Sequence, residues 1–333
     1  MEQLFIGELI RQRRLELGLK QCELCEGICE PVTMSRLESG KQTPGSNKLR
    51  MLMQRLGLPE KRYYALVSKN ELRISELQTE IVSSNVLHDS LRGLEKIEEL
   101  EAIAEPNDNQ VRQFILRSRA ILGKLVDGKV EPYLPEEKLE MLSEAIRLTS
   151  PYFDIDHIGK GLYCVDEVKV INQIAGVYSE QGNNEQALQI YVQLIDYIKQ
   201  HFQNVKQSGG LLPLVSYNYA RELTVLGRYE EAIQISKLAW EACVQYGQYR
   251  YLASTINIIS ECYHLLGNVE QCKDYFKQAY YVYKAIGDEH SANDMASEAH
   301  EYFGSDFQLY TFIQKFPLPF LLNVDRIALN RTH

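Results

Sequence analysis

The chain has 333 residues, enough for two or three domains, of which 45% are hydrophobic and 24% charged, as in an ordinary globular protein. No apolar run approaches the roughly 20 residues that span a bilayer, and the N-terminus has early acidic residues and no signal-peptide core. The seven cysteines lack a secreted spacing pattern. We therefore expect a cytoplasmic protein with no membrane partner.

The net charge of −9 is unevenly distributed along the chain. Residues 1–64 contain 11 of the 36 Lys and Arg and 8 of the 45 Asp and Glu, so this region carries +3 and the remainder carries −12. A basic region joined to an acidic one is typical of a nucleic-acid-binding domain linked to a domain with another role.

The stretch 20–48 has the pattern of two short helices joined by a tight turn and followed by another helix. Pro31 suits the first turn of a helix, where its missing N–H has no partner to lose. Gly40 can adopt the left-handed conformation that ends a helix. Apolar or small residues recur at spacings that pack the two helices together: Leu24, Cys25, Ile28, Met34 and Leu37.

This pattern resembles an Xre/Cro-type helix-turn-helix over residues 1–66, which we call the head. The matching residues are Ile6-Gly7, Ile10, Arg14, Leu17-Gly18-Leu19, Gln21 and the segment Ser35–Gly40. Glu26–Cys29, with the sequence EGIC, is one residue shorter than the usual turn between the helices. This variant resembles the PlcR-like branch of the RRNPP peptide-pheromone receptors.

The resemblance implies that Pro31–Glu38 is a recognition helix that enters the major groove of DNA. Arg36 is the best candidate for a bidentate contact with guanine. Arg14 and Glu38 match a buried ion pair and are not expected to contact DNA. The residues expected to contact DNA are Gln21, Pro31, Val32, Thr33, Ser35, Arg36, Lys41, Asn47 and Lys48. Since specificity normally needs two half-sites, we expect a homodimer on a palindromic promoter site.

Three cysteines lie close together in the head, at Cys22, Cys25 and Cys29. A metal or redox site is conceivable, but no histidine precedes His88 and no fourth ligand is near. We favour packing, because a free cysteine commonly behaves as a small buried hydrophobic residue. No metal and no cofactor are predicted.

Residues 67–105 read as a linker helix and a first degenerate helical pair, with a break near Ser83–Asn85. Beyond them, helical patterns alternate with turns and no segment shows the alternation of a strand. The whole chain is therefore predicted to be α-helical. The Leu-, Pro- and Phe-rich stretch Phe316–Asn323 is predicted to pack as a tail on the final repeat.

An internal repeat runs through residues 106–333. Three segments, at 182–187, 227–232 and 267–272, each begin with Gly and carry Ala or Cys five residues later. They resemble tetratricopeptide repeats, although their intervals of 45 and 40 residues exceed the usual length. The predicted fold is all-α, with a helix-turn-helix head followed by a right-handed repeat solenoid that binds a peptide and forms a dimer.

In tetratricopeptide repeats the first helix of each pair faces a concave groove. The residues predicted to bind a peptide there are Asn172, Tyr217, Asn218, Arg221, Asn257, Glu261 and His264. An Asn amide both donates and accepts hydrogen bonds, so a row of them can bind the backbone of an extended peptide. The alternative is that these asparagines bond only to solvent or to adjacent repeats.

The combination resembles RRNPP receptors over nearly the full length. It implies a quorum-sensing transcriptional regulator whose repeat domain binds a short signalling peptide and so alters DNA binding. The alternative is a repeat scaffold that binds another protein, with DNA tethering but no peptide pheromone. We predict no enzyme activity, because the sequence has no phosphate-binding loop, zinc-ligand spacing or nucleophile motif.

Overall fold

The computed structural model describes residues 6–58, 69–202, 210–304 and 309. Helices form nearly all of the regular structure in these ranges, which confirms the all-α fold class. No helix within them is both long and apolar enough to cross a bilayer. The predicted domain boundary at residue 66 and the tail Phe316–Asn323 lie outside the described residues.

The described part of the head contains four helices: α1 (Ile6–Glu16), α2 (Gln21–Cys25), α3 (Pro31–Glu38) and α4 (Ser46–Arg55). Their apolar faces form one core that includes Ile10, Leu24, Met34 and Cys25. Cys25 is thus a packing residue, as expected. Helix α3 has the predicted bounds, with Pro31 as its first residue.

The buried ion pair predicted between the first and third helices of the head is present. Arg14 Nε lies 2.6 Å from Glu38 Oε1, and Arg14 Nη2 lies 2.9 Å from Glu38 Oε2. A bidentate pair of this kind fixes the orientation of both side chains. It therefore sets the position of α3, the predicted recognition helix, on α1.

The repeat domain consists of helices packed in sequence. They are α5 (Lys69–Val86), α6 (Ser90–Ile103), α7 (Asn109–Leu122), α8 (Pro135–Thr149), α9 (Val165–Glu180), α10 (Asn184–His201), α11 (Leu211–Val225), α12 (Tyr229–Tyr246), α13 (Tyr249–Leu265), α14 (Val269–Ile286) and α15 (Glu289–Phe303). Gly182, Gly227 and Gly267 adopt positive φ angles of 77°, 73° and 73° in the turns after α9, α11 and α13. The glycines of the sequence repeat therefore mark the turns within each pair.

Two details differ from the sequence predictions. Strands β1 (Lys124–Val126) and β2 (Lys129–Glu131) form a short antiparallel hairpin between α7 and α8, so the chain is not helical throughout. Each strand has only three residues, too few to show an alternating pattern. The break between α5 and α6 falls at residues 87–89, a few residues later than predicted.

The head packs on the repeat domain where α8 ends and α9 begins. Arg55 donates through Nη1 to the carbonyl oxygens of Leu24 and Glu26 in the head, at 3.0 and 2.6 Å. Through Nη2 it donates to Thr149 O at 3.2 Å and to Glu167 Oε1 at 3.1 Å. The side chains of Arg55 and Glu167 are only 2% and 0% exposed. We call this buried contact the joint.

Further contacts attach α4 to the first turn of α9. Gln54 Oε1 accepts a hydrogen bond from Val165 N at 2.9 Å, and Arg50 lies 3.4 Å from the Asp166 carboxylate. Cys164, just before α9, packs in the hydrophobic core of the head. The head is therefore bonded directly to the N-terminal end of one repeat helix.

A histidine close to the joint predicts a pH-dependent stability. His201 stacks on Tyr197 with ring centroids 4.3 Å apart, and burial lowers the pKa of His201 from its ordinary value of about 6.5. The unfolded chain then binds more protons than the folded one as pH falls below about 6.5, so stability declines there. We expect His201→Gln to remove this part of the decline, measured as unfolding free energy from pH 7.5 to 5.0. An unchanged pH profile would contradict this prediction.

Candidate DNA-binding surface and ligand cavity

Helix α3, the predicted recognition helix, presents most of its predicted DNA-contacting residues outward. Pro31, Val32, Ser35 and Arg36 are exposed, while Thr33 is partly buried. Val32 is 62% exposed, which leaves it available to a thymine methyl group. The face of α3 opposite to these residues supplies Met34 and Leu37 to the core.

Four further residues outside this helix are predicted to contact DNA. Lys41 and Lys48 are exposed, and Asn47 is partly buried with its Oδ1 3.4 Å from Arg50 Nη2. Gln21 donates through Nε2 to Glu38 Oε2 at 2.7 Å, so its side chain extends the Arg14–Glu38 pair. Five of the nine predicted residues, Pro31, Val32, Thr33, Ser35 and Arg36, lie on α3, and the contact of all nine with DNA stays a prediction.

A cavity of about 410 Å³ lies inside the curve of the repeat domain. It is lined by the first helix of five successive pairs, α5, α7, α9, α11 and α13, as the repeat pattern predicts. The apolar side chains of Ile81, Ile121, Leu214 and Tyr217 form much of its wall. Such a concave, largely apolar space with a few polar groups is typical of a ligand site.

The structure places only two of the seven predicted peptide-binding residues in the cavity wall, Asn172 and Tyr217. Asn218 Nδ2 donates to Asn172 Oδ1 at 3.1 Å, so two of the three predicted asparagines bond to each other across adjacent repeats. This hydrogen bond between adjacent repeats is the arrangement given above as the alternative to a peptide-binding role. It also orients the Asn172 amide at the cavity wall.

The other four predicted residues lie outside this cavity. Arg221 and Glu261 are exposed on α11 and α13, and Asn257 is partly buried. The His264 ring stacks on Tyr302 of α15 with centroids 4.1 Å apart. Repeat-position counting predicts which residues face the groove but not where along it the walls approach each other.

Sequence reasoning missed several cavity residues. Arg117 and Gln173 line it, and α5 contributes Val82, Asn85 and Val86. The region 67–105, predicted as a linker and degenerate pair, thus forms part of the wall. The sequence did contain a signal for these residues. The first helix of each degenerate pair should face the groove at the same repeat positions as the first helices of the clearer repeats.

The two ends of the described repeat domain come close to each other at one point. The His88 ring, in the turn after α5, lies 5.5 Å from the ring of His290 in α15. The first and last helical elements of the described repeat domain therefore meet.

The sequence profile of the RNPP family C-terminal domain matches residues 80–302, well over half of the chain. The chain therefore belongs to the RNPP family, and the resemblance found in the sequence is confirmed. Membership of this family of non-enzymatic regulators also confirms the prediction that the chain is not an enzyme. Comparison with curated protein sequences gives no match.

Two solved structures of Bacillus thuringiensis PlcR are similar in fold. PlcR in complex with the peptide PapR7 and DNA is 19% identical, with a TM-score of 0.55, and the match covers 90% of this chain and 99% of that chain. Apo PlcR is 16% identical, also with a TM-score of 0.55, covering 88% of this chain and 98% of that chain. At these identities the likeness establishes the fold alone.

Proposed function

We propose that this protein is a cytoplasmic, homodimeric transcriptional regulator whose affinity for a palindromic promoter site changes when a short signalling peptide occupies the repeat cavity. Its family membership supports this, as does the PlcR structure, which holds both a peptide and DNA. The head, which carries a net charge of +3 over residues 1–64, supplies the surface for DNA through the exposed side of α3.

The regulatory part of the proposal rests on one observation, that helix α9 contacts the head and also lines the cavity. Its first turn bonds the head through Val165, Asp166 and Glu167. Its next turns line the cavity with Lys169, Asn172 and Gln173. A ligand that shifts α9 therefore acts on the helix that holds α4, and the position of the recognition helix changes with it.

The experiment selects a DNA site from a randomised duplex library with the full chain. Affinity for that site is then measured with and without peptides encoded by small reading frames beside the gene. A peptide that binds the protein and changes DNA affinity at least fivefold is the expected result, which corresponds to about 1 kcal/mol of coupling. Selection of no DNA sequence would overturn the proposal. A stoichiometric protein partner filling the cavity would instead support the scaffold function.

Arg36→Ala should reduce binding to the selected site by about 1–3 kcal/mol and relax the sequence preference at one base pair, because a bidentate contact with guanine is lost. The matched change is Lys41→Ala, expected to weaken binding to all sequences alike and lower the salt slope by about one. Both are read from fluorescence anisotropy titrations at several salt concentrations. Equal loss on specific and random DNA for Arg36→Ala would show that it does not read a base.

A further inference from the structure

Arg117, on α7, is a cation in the cavity wall without an ion-pair partner in the described ranges. Its Nε atom is fully buried and has no hydrogen-bond partner among the described residues. Its guanidinium lies 5.7 Å from the centroid of the Phe114 ring, a contact that orients the group but does not neutralise it. Burial lowers the pKa of Arg117 from its ordinary value, and the charge of Asp166 only partly offsets this.

Two neighbours share this part of the wall. Gln173, on α9, has a buried side-chain oxygen that also lacks a partner within the described chain. Lys169, one turn before it, contributes a second positive charge. No Asp or Glu lies among the cavity-lining residues, which are all described, so the wall carries two cations and no anion of its own.

The carboxylate whose charge acts on Arg117, that of Asp166, is already paired with other cations. Asp166 lies 3.2 Å from Lys169 Nζ and 3.4 Å from Arg50 of the head. Burial opposes ionisation of Asp166, but Lys169, Arg50 and Arg117 outweigh it and hold the pKa of that carboxyl below its usual range. One carboxylate thus faces three cations, and Arg117 is the one without a direct contact.

Arg117 is partly buried, and its Nε atom is shielded from water with no hydrogen-bond partner among the described residues. Such an arrangement destabilises a folded protein, because the charge loses part of its hydration and gains no partner. An apolar side chain of similar length would suit the surrounding Ile121, Leu122 and Val82 better. A ligand group that pairs with the guanidinium therefore explains why an arginine lies in this wall. The group has to be an anion that accepts hydrogen bonds from guanidinium nitrogens, while a neighbouring N–H donates to Gln173.

We infer that the ligand of this cavity carries a carboxylate, which binds Arg117 with Lys169 close by, and that the part of the ligand next to it is apolar. This inference rests on the proposed function, because it takes the ligand to be a short peptide. The carboxylate can be the peptide's C-terminus or an Asp or Glu side chain. Both place a planar anion against the guanidinium, where a bidentate pair forms.

Stability of the unliganded protein separates a binding role of Arg117 from a structural one. Arg117→Met removes the unpaired charge and keeps an unbranched apolar chain, so its melting temperature should be equal to or higher than that of the parent. The control is Arg112→Met on the same helix, an exposed arginine 3.5 Å from Glu144. A clear drop in melting temperature for Arg117→Met alone would assign Arg117 to the fold.

Binding is tested with synthetic pentapeptide libraries in four forms: free or amidated at the C-terminus, each with or without Asp and Glu at the randomised positions. Peptides retained by the full-length protein on gel filtration are sequenced by mass spectrometry, and their affinities are measured by calorimetry. We expect retention from every form except the amidated library without acidic residues. For retained peptides, Arg117→Met should weaken binding by about 10- to 100-fold, as expected for hydrogen bonds to a charged group, and Arg112→Met should not.

The outcomes distinguish this inference from the proposed function. Equal retention from the amidated, uncharged library would overturn the carboxylate subsite and leave peptide binding intact. Retention only with a free C-terminus, or only with acidic side chains, supports the inference and identifies the source of the carboxylate. Peptides that bind the parent and Arg117→Met equally well would also overturn it. No retained peptide from any form would overturn both.

Discussion

Glu167→Ala should lower the free energy of unfolding by about 3–5 kcal/mol, the largest effect that we expect from a single side chain in this protein. The substitution leaves the Arg55 guanidinium buried at the joint without its carboxylate. It also removes the acceptors for Ser150 Oγ at 2.7 Å and Cys164 N at 2.6 Å. Urea denaturation followed by circular dichroism measures the loss.

A matched control is available at Glu137. Like Glu167 in α9, Glu137 is the third residue of its helix, and it accepts a hydrogen bond from Leu134 N at 2.7 Å. It also pairs with Lys124 at 2.8 Å, but on the surface. Because water screens that pair, Glu137→Ala should cost no more than about 1.5 kcal/mol, including the lost cap. Similar losses for the two variants would show that burial of the joint contributes nothing.

The double variant Arg55→Met with Glu167→Leu tests the mechanism of that loss. It removes both charges together, so no buried ion is left without a partner, and much of the stability should return. The carbonyl oxygens of Leu24 and Glu26 still lose their donor, so the recovery is expected to be incomplete. A double variant as unstable as Glu167→Ala would mean that the hydrogen bonds of the joint, rather than the unpaired charge, account for the effect.

Gly27→Ala should destabilise the protein by about 2–5 kcal/mol and loosen the contact between the head and α8. Gly27 has a φ of +67°, which is unfavourable for alanine, and its Cβ would lie 1.9 Å from the carbonyl oxygen of Thr149. No side-chain rotation can relieve a clash with backbone. The change is measured by chemical denaturation, and the loosening by faster proteolysis between the head and the repeat domain.

Gly18→Ala is the control for backbone strain. Gly18 has nearly the same φ, +69°, but nothing lies within 4 Å of the position of its Cβ. This variant should therefore show only the cost of the left-handed conformation, about 1–2 kcal/mol. The difference between the two variants measures the close approach of the head to α8. Equal destabilisation would place the two domains further apart than the structure does.

These two predictions bear on regulation as well as stability. The joint holds the head, and with it the predicted recognition helix α3, on α8 and α9, and α9 also lines the cavity. If the proposed coupling runs through this contact, Gly27→Ala should reduce the effect of a bound peptide on DNA affinity more than it reduces peptide binding itself. Isothermal titration of peptide, with and without DNA, separates the two quantities.

Local patterns in the sequence determined the fold class and most of the helices. Pro31 and the apolar residues of the head predicted α3 with its bounds, and the glycines of the repeat predicted the turns after α9, α11 and α13. These features depend on residues only a few positions apart, so the conformational preferences of those residues are enough to predict them. The Arg14–Glu38 pair was also predicted, because the helix-turn-helix resemblance fixes the geometry between α1 and α3.

Only the tertiary structure decided what depends on distances between remote helices. Arg55 and Glu167 are 112 positions apart and neither lies in a motif, so their pairing follows from how the head docks on the repeat domain. The same holds for Arg117, which lines the cavity because α7 packs beside α5 and shares the cavity wall with α9. Repeat positions predict which face of a helix points inward, but the width of the groove, and hence which inward residues can reach one ligand, is set by the packing of the whole solenoid.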